Sequence, residues 1–251
     1  MSREAAAGRL IAHRGYSARY PENTLVGLRT ALQAGANYVE FDVQFSADGV
    51  PVLMHDADLL RTTGLAARVD ACSIETLQAL TAGEPARFGR RFVGEPVPTL
   101  RDALGLLAQW PEACFLVEIK SETIERLGVE PVAARLAEEL AAWPGRCILI
   151  AFDERVLAAV RRLGLRRIGW VIEHVDAAAW HTAESLRPEL LICDYRKLPA
   201  TADALWPGPW HWALYDICEP ALARQWLQRG AAFIETWDIG GMLAALDLSE
   251  C

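Results

Sequence analysis

Eight short apolar runs recur along the chain, at residues 10–13, 38–43, 114–119, 147–151, 167–172, 190–193, 211–215 and 232–234. Each is rich in Val, Ile, Leu or aromatic residues and is the length of a β-strand. Between them lie stretches with helical periodicity, at 24–34, 100–110, 132–143, 154–163 and 220–229. Regular strand-helix alternation builds a parallel sheet. The runs are continuous rather than alternating, as in Cys147-Ile148-Leu149-Ile150-Ala151, which suits strands covered on both faces.

Eight such units in about 250 residues predict a closed (β/α)8 TIM barrel as a single domain over 1–251. A doubly wound open sheet is the competing architecture, but no glycine-rich dinucleotide or P-loop fingerprint follows any strand. Helix punctuation fits the units: Thr99-Leu100-Arg101-Asp102 is a capping-box pattern, and Gly164 and Gly230 fall just past helical runs. Residues 57–98 break the rhythm. This polar, arginine- and glycine-containing stretch is expected to form a small insertion between strand 2 and the next helix, lying over the barrel mouth with one short helix near 73–80. The stretch 199–209 reads as a turn-rich connection.

One apolar run carries charge. In Val39-Glu40-Phe41-Asp42-Val43 the acids sit two apart, so both carboxylates point to one face of the strand. Burying two like charges is costly unless a cation or strong donors neutralise them. In a barrel that face belongs to the rim at the carboxyl ends of the strands, where active sites form. His13 ends the first run, His55 follows the second, and Leu116-Val117-Glu118-Ile119-Lys120 places Glu118 and Lys120 on one face of the third. Three carboxylates without nearby thiols suit a hard cation, Mg2+ or Ca2+; the plainer reading is that Glu40 and Asp42 pair with Arg14 and Lys120. His13 and His55 are positioned to exchange protons near neutral pH, and Arg14 and Lys120 to meet phosphate oxygens. In Pro21-Glu22-Asn23-Thr24, Asn23 either caps the first helix or contacts the site.

Composition narrows the partners. A net charge of −8 leaves no basic stripe for a nucleic acid or an anionic membrane, while a small anionic substrate remains compatible. No signal peptide or membrane anchor is evident, and six cysteines without a CxxC pair read as free thiols, so the expected compartment is the cytoplasm. Oligomeric state is not legible. Seven of nine tryptophans lie at or after Trp170. Most should be packing anchors, with Trp212 and Trp237 the candidates for an aromatic substrate wall. His174, His181 and His211 lack acidic partners at useful spacing and read as surface or structural.

The motifs His13-Arg14-Gly15, Pro21-Glu22-Asn23-Thr24, Glu40-Phe41-Asp42-Val43, Asp48-Gly49, His55-Asp56, Leu60-Arg61-Thr62-Thr63, Val97-Pro98-Thr99-Leu100 and Val117-Glu118-Ile119-Lys120 together resemble the glycerophosphodiester phosphodiesterase family. They are dense up to Lys120, with only the barrel rhythm thereafter. The resemblance implies a (β/α)8 barrel that hydrolyses glycerophosphodiesters to sn-glycerol 3-phosphate and an alcohol through a cyclic phosphate. It also implies His13 and His55 as the acid-base pair, Glu40, Asp42 and Glu118 as metal ligands, and Arg14 and Lys120 as phosphate contacts. Ala151-Phe152, where the family often has Ser-Phe, and Glu235-Thr236-Trp237, where Thr-Asp is common, are departures. A lysophospholipid phosphodiesterase on the same barrel and a non-catalytic phosphate-ester binder are the alternatives.

Overall fold

The computed structural model describes residues 3–198 and 205–247. Residues 199–204, within the expected turn-rich connection, and Cys251 lie outside that description.

Among the described residues nine strands form one sheet: β1 (Leu10–Ala12), β2 (Tyr38–Phe45), β3 (Pro51–Leu53), β4 (Cys114–Ile119), β5 (Cys147–Ala151), β6 (Ile168–Ile172), β7 (Leu190–Asp194), β8 (His211–Tyr215) and β9 (Phe233–Thr236). Eight of them run parallel in the order β1-β9-β8-β7-β6-β5-β4-β2, and β1 pairs with β2 to close the ring. The chain is therefore a TIM barrel. The ninth strand, β3, is a hairpin partner of β2, antiparallel with Val43 opposite Leu53. It was not anticipated, although Asp48-Gly49 marks its turn.

Continuous apolar runs are what a barrel strand requires, because alternate residues face two different cores. One set, including Ile11, Leu116, Ile148, Ile150, Val171, Leu190 and Ile192, packs inside the barrel. The other, including Leu10, Phe41, Phe115, Val117, Leu149 and Leu191, packs beneath the surrounding helices. Three of the helices that follow strands start on side-chain caps: Thr24 accepts from Gly27 N–H, Asp153 from Arg155 N–H and Asp176 from Ala179 N–H. The capping box at Thr99 and Asp102 is formed.

Between β3 and the helix Leu100–Gly105, the chain makes short helices at Leu60–Thr63, Ile74–Ala79 and Pro85–Phe88. They enclose a small core of Val52, Met54, Leu59, Val69, Leu77 and Val97. The middle helix occupies the place the sequence suggested. No helix among the described residues is long and apolar enough to cross a membrane.

Candidate active site

The two-residue period of the strands carries the inner apolar layer up into a ring of ionisable groups. Above Ile11 stands His13, above Tyr38 stand Glu40 and Asp42, above Leu116 stands Glu118, and above Phe233 stands Glu235. In register, Asp42 lies beside Glu118 and Ile11 beside Glu235. Strands β5 to β7 instead turn Ile150, Val171 and Ile192 toward the cleft. His13, Asp42, Glu118, Glu235, Ile150, Val171 and Ile192 line one cleft of about 480 Å³, and Glu40 has an oxygen within 4.8 Å of those of Asp42 and Glu118. The cleft thus has a charged half on β9, β1, β2 and β4 and an apolar half opposite.

The loop after β1 is held in an unusual shape. Arg14 and Asn23, neither a glycine, have φ of 55° and 54°, and Asn23 N–H donates to Arg14 C=O. Strain of this kind persists only where the surroundings fix it. Gly15 has φ 81°, and a Cβ there would lie 2.7 Å from the Gly27 carbonyl carbon, so the loop can press against the first helix only without a side chain. Thr24, not Asn23, caps that helix. Asn23 instead clamps Asp42: its side-chain amide donates to Asp42 Oδ2 at 2.9 Å and its carbonyl accepts from Asp42 N–H at 3.0 Å.

Glu40, Asp42 and Glu118 each offer an oxygen within 4.8 Å of the others, and a ring nitrogen of His13 makes a second set of the same span with oxygens of Glu40 and Glu235. Cations are present, but too few. Lys120 Nζ lies 2.7 Å from Glu118 and 3.3 Å from Asp42, and Arg14 Nε lies 3.2 Å from Asp42. Four carboxylates therefore face two cations. Burial and the neighbouring Asp42 and Glu235 push the Glu40 carboxyl well above its usual range. Burial does the same to Glu235, reinforced by Glu118, and burial and Asp42 raise Glu118 against the pull of Lys120. Asp42 goes the other way, because Lys120 and Arg14 outweigh the cost of its burial. Buried Glu40 Oε1 has no hydrogen-bond partner among the described residues, an arrangement expected where a cation binds. The donor set, all hard oxygen, fits Mg2+ or Ca2+. The ion-pair reading alone leaves the excess charge and this oxygen unexplained.

His55 stands at the end of a relay of ion pairs. Its Nδ1 is 2.7 Å from Asp56 Oδ1; Asp56 Oδ2 accepts from Arg61 Nε at 2.7 Å; the Arg61 amino groups reach both oxygens of Glu22; and Glu22 Oε1 accepts from Arg14. Glu84, 1% exposed, receives Glu22 N–H and Arg87, which ties the segment carrying His55 to the loop carrying His13. Burial, together with the Arg14 guanidinium, draws His13 down to about 3, so its imidazole is neutral.

The aromatic wall is not the one expected. In β8 the inner positions are Ala213 and Tyr215, so Trp212 points outward; it is 4% exposed, and its indole N–H donates to Trp206 C=O beneath the helices. Trp237 does line the cleft, with Phe152 and Tyr215. His174, His181 and His211 are all exposed and stand outside this cleft. The sequence reading did not assign Glu22, Asp56, Arg61, Glu84 or Asp216 to the site. Glu22, Asp56 and Arg61 sat inside quoted motifs, but their pairing needs the fold.

A closed parallel barrel with ionisable groups gathered at the carboxyl ends of its strands falls in the class of (β/α)8-barrel enzymes. Residues 13–195 match the glycerophosphoryl diester phosphodiesterase family, and the chain belongs to that family, which makes it a phosphoric diester hydrolase. A glycerophosphodiester phosphodiesterase of Caldanaerobacter subterraneus is 33% identical over 177 residues, 69% of this chain and 70% of its own. Bovine glycerophosphodiester phosphodiesterase 1 is 45% identical over 94 residues, 38% of this chain but 28% of the bovine one. The fold is similar to that of an Oleispira antarctica phosphodiesterase solved in complex with its product sn-glycerol-3-phosphate. That match has a TM-score of 0.84 and 26% identity, covering 98% of this chain and all of that one.

Proposed function

We propose that the chain hydrolyses small glycerophosphodiesters to sn-glycerol 3-phosphate and an alcohol, with a divalent cation, Mg2+ or Ca2+, held by Glu40, Asp42 and Glu118. The observation that carries this reading is the set of buried carboxylates in excess of their cations, with Glu40 Oε1 unpaired, in a cleft flanked by His13 and His55. The bound cation supplies Lewis-acid polarisation of a phosphoryl oxygen and of the attacking hydroxyl.

The chain's own groups do the rest. Arg14 and Lys120 supply the positive charge that draws a phosphodiester to the mouth, and Asn23 keeps Asp42 turned toward the cluster. The glycerol hydroxyl of the substrate attacks phosphorus and a cyclic phosphate forms, which water then opens. His13 and His55 are the acid-base pair of this scheme: one removes the hydroxyl proton and the other faces the departing oxygen. Positioned groups of this kind contribute ~10²–10⁴-fold each. The apolar half formed by Ile150, Val171 and Ile192 lowers the local dielectric and strengthens every charge interaction opposite.

The test is release of glycerol 3-phosphate from glycerophosphocholine and glycerophosphoethanolamine with Mg2+, with Ca2+ and with EDTA, beside His13→Ala. Release that requires metal and is lost in the variant is expected. Full activity in EDTA or in folded His13→Ala would overturn the reading, and faster turnover of lysophospholipids would reassign the substrate.

A further inference from the structure

The two site histidines carry their hydrogen bonds differently. His55 Nδ1 lies 2.7 Å from the Asp56 carboxylate, an acceptor, so Nδ1 bears a proton and, in the neutral ring, Nε2 keeps its lone pair. His13 Nδ1 lies 2.7 Å from Trp237 Nε1. An indole nitrogen only donates, so here Nδ1 must accept and, in the neutral ring, the proton sits on Nε2. The rings of His13 and Trp237 are stacked, with planes 21° apart, which leaves the imidazole little freedom to turn away.

The other groups around His13 agree. Asp216 Oδ1 lies 3.5 Å from Nδ1, longer than the Trp237 bond, and Asp216 already accepts from Arg196 at 3.0 Å. At Nε2, the Glu40 and Glu235 oxygens are 3.9 and 4.0 Å away, beyond hydrogen-bond reach. The Nε2–H therefore has no acceptor among the described residues and is open to the cleft. The His13 backbone is fixed as well: its N–H donates to Thr236 C=O, beside the tryptophan.

We infer that Trp237 is a positioning residue that holds His13 as the Nε2–H tautomer, so that His13 meets the substrate as a hydrogen-bond donor and the lone pair that accepts a proton is on His55. This rests on the phosphodiesterase reading and divides the labour within it. It also bears on the second carboxylate set, His13 with Glu40 and Glu235. A protonated Nε2 cannot ligate a cation, so that set does not act as a metal centre through His13.

The decisive measurement is nitrogen NMR of histidine-labelled, Mg2+-loaded protein near neutral pH, with the His13 signals assigned by their loss in His13→Gln. For His13, a protonated Nε2 and a bare Nδ1 are expected, and for His55 the opposite pair. Trp237→Phe keeps an aromatic ring in the wall and removes the N–H together with part of the indole; it should shift His13 to a mixture of tautomers and lower kcat about tenfold, with KM changed less, as expected for loss of one aligned hydrogen bond. A wild-type His13 that is an imidazolium or carries its proton on Nδ1 would overturn the inference, as would an unchanged His13 tautomer in Trp237→Phe. The wild-type spectrum decides the first point even where the variant fails to fold. Absence of turnover on every glycerophosphodiester would instead remove the reading beneath it, and the spectrum would not detect that.

Discussion

Asn23→Ala should cost the protein stability and metal affinity together, for reasons that separate cleanly. Asn23 is 3% exposed and bonds Asp42 twice, through its amide to the carboxylate and through its carbonyl to the Asp42 N–H. Removing the amide loses a hydrogen bond to a charged group, about 1.5–3 kcal/mol, and the orphaned buried N–H adds about 1–3 kcal/mol. Alanine at φ 54° adds about 1 kcal/mol that asparagine partly escapes and glycine escapes altogether. The sum is about 3.5–7 kcal/mol for Asn23→Ala and about 2.5–6 for Asn23→Gly, so the two variants differ by about one alanine's worth of left-handed strain. Urea unfolding in EDTA, with the slope m checked against wild type, measures both. Calorimetric titration with Mg2+ should then show affinity weakened about 10–100-fold, because Asp42 is no longer held in place. Asn23→Ala destabilised by less than about 1 kcal/mol, or with unaltered metal affinity, would refute the clamp.

Three further outcomes follow from the site. Glu40→Gln keeps the shape but removes the charge behind the unpaired oxygen; the rise in melting temperature that Mg2+ gives the wild type should shrink or vanish, read by differential scanning calorimetry. Arg61→Met cuts the relay between Glu22 and Asp56; because Arg61 is 43% exposed, stability should change little, while kcat falls about 10-fold as His55 loses its orientation, measured by steady-state kinetics. Trp212→Phe should lose about 1 kcal/mol of stability with its hydrogen bond to Trp206 and leave kcat/KM unchanged, since the ring lies outside the cleft.

The barrel was legible because its strands are buried on both faces and so advertise themselves as unbroken apolar runs; β4, β5 and β8 begin and end where those runs do. The hairpin strand β3 was not, because three residues starting at Pro51 give too short a signal. In β2 the acids themselves mark the inner face, so the site half built on Glu40 and Asp42 could be read directly. His211-Trp212-Ala213-Leu214-Tyr215 offers no such mark: large residues fill both faces, and only the pairing of Leu191 with Trp212 shows that the tryptophan faces outward. Glu235 stood alone in its strand, far in sequence from the acids it joins. Arg61 and Glu22 are 39 residues apart, and no local pattern announces a bond between them.

The pairing of β1 with β9 means that the first strand finds its last neighbour more than 220 residues later. The charged half of the cleft straddles this seam: His13 stands on one side and Glu235 and Trp237 on the other. During synthesis the ring is therefore an open sheet with two bare edges until β9 is made, and in the proposed scheme the contact that places the His13 proton forms only across this seam. Activity in this architecture is a report that the circle has closed, and a partly made or partly unzipped chain carries its substrate groups without the contact that arms them.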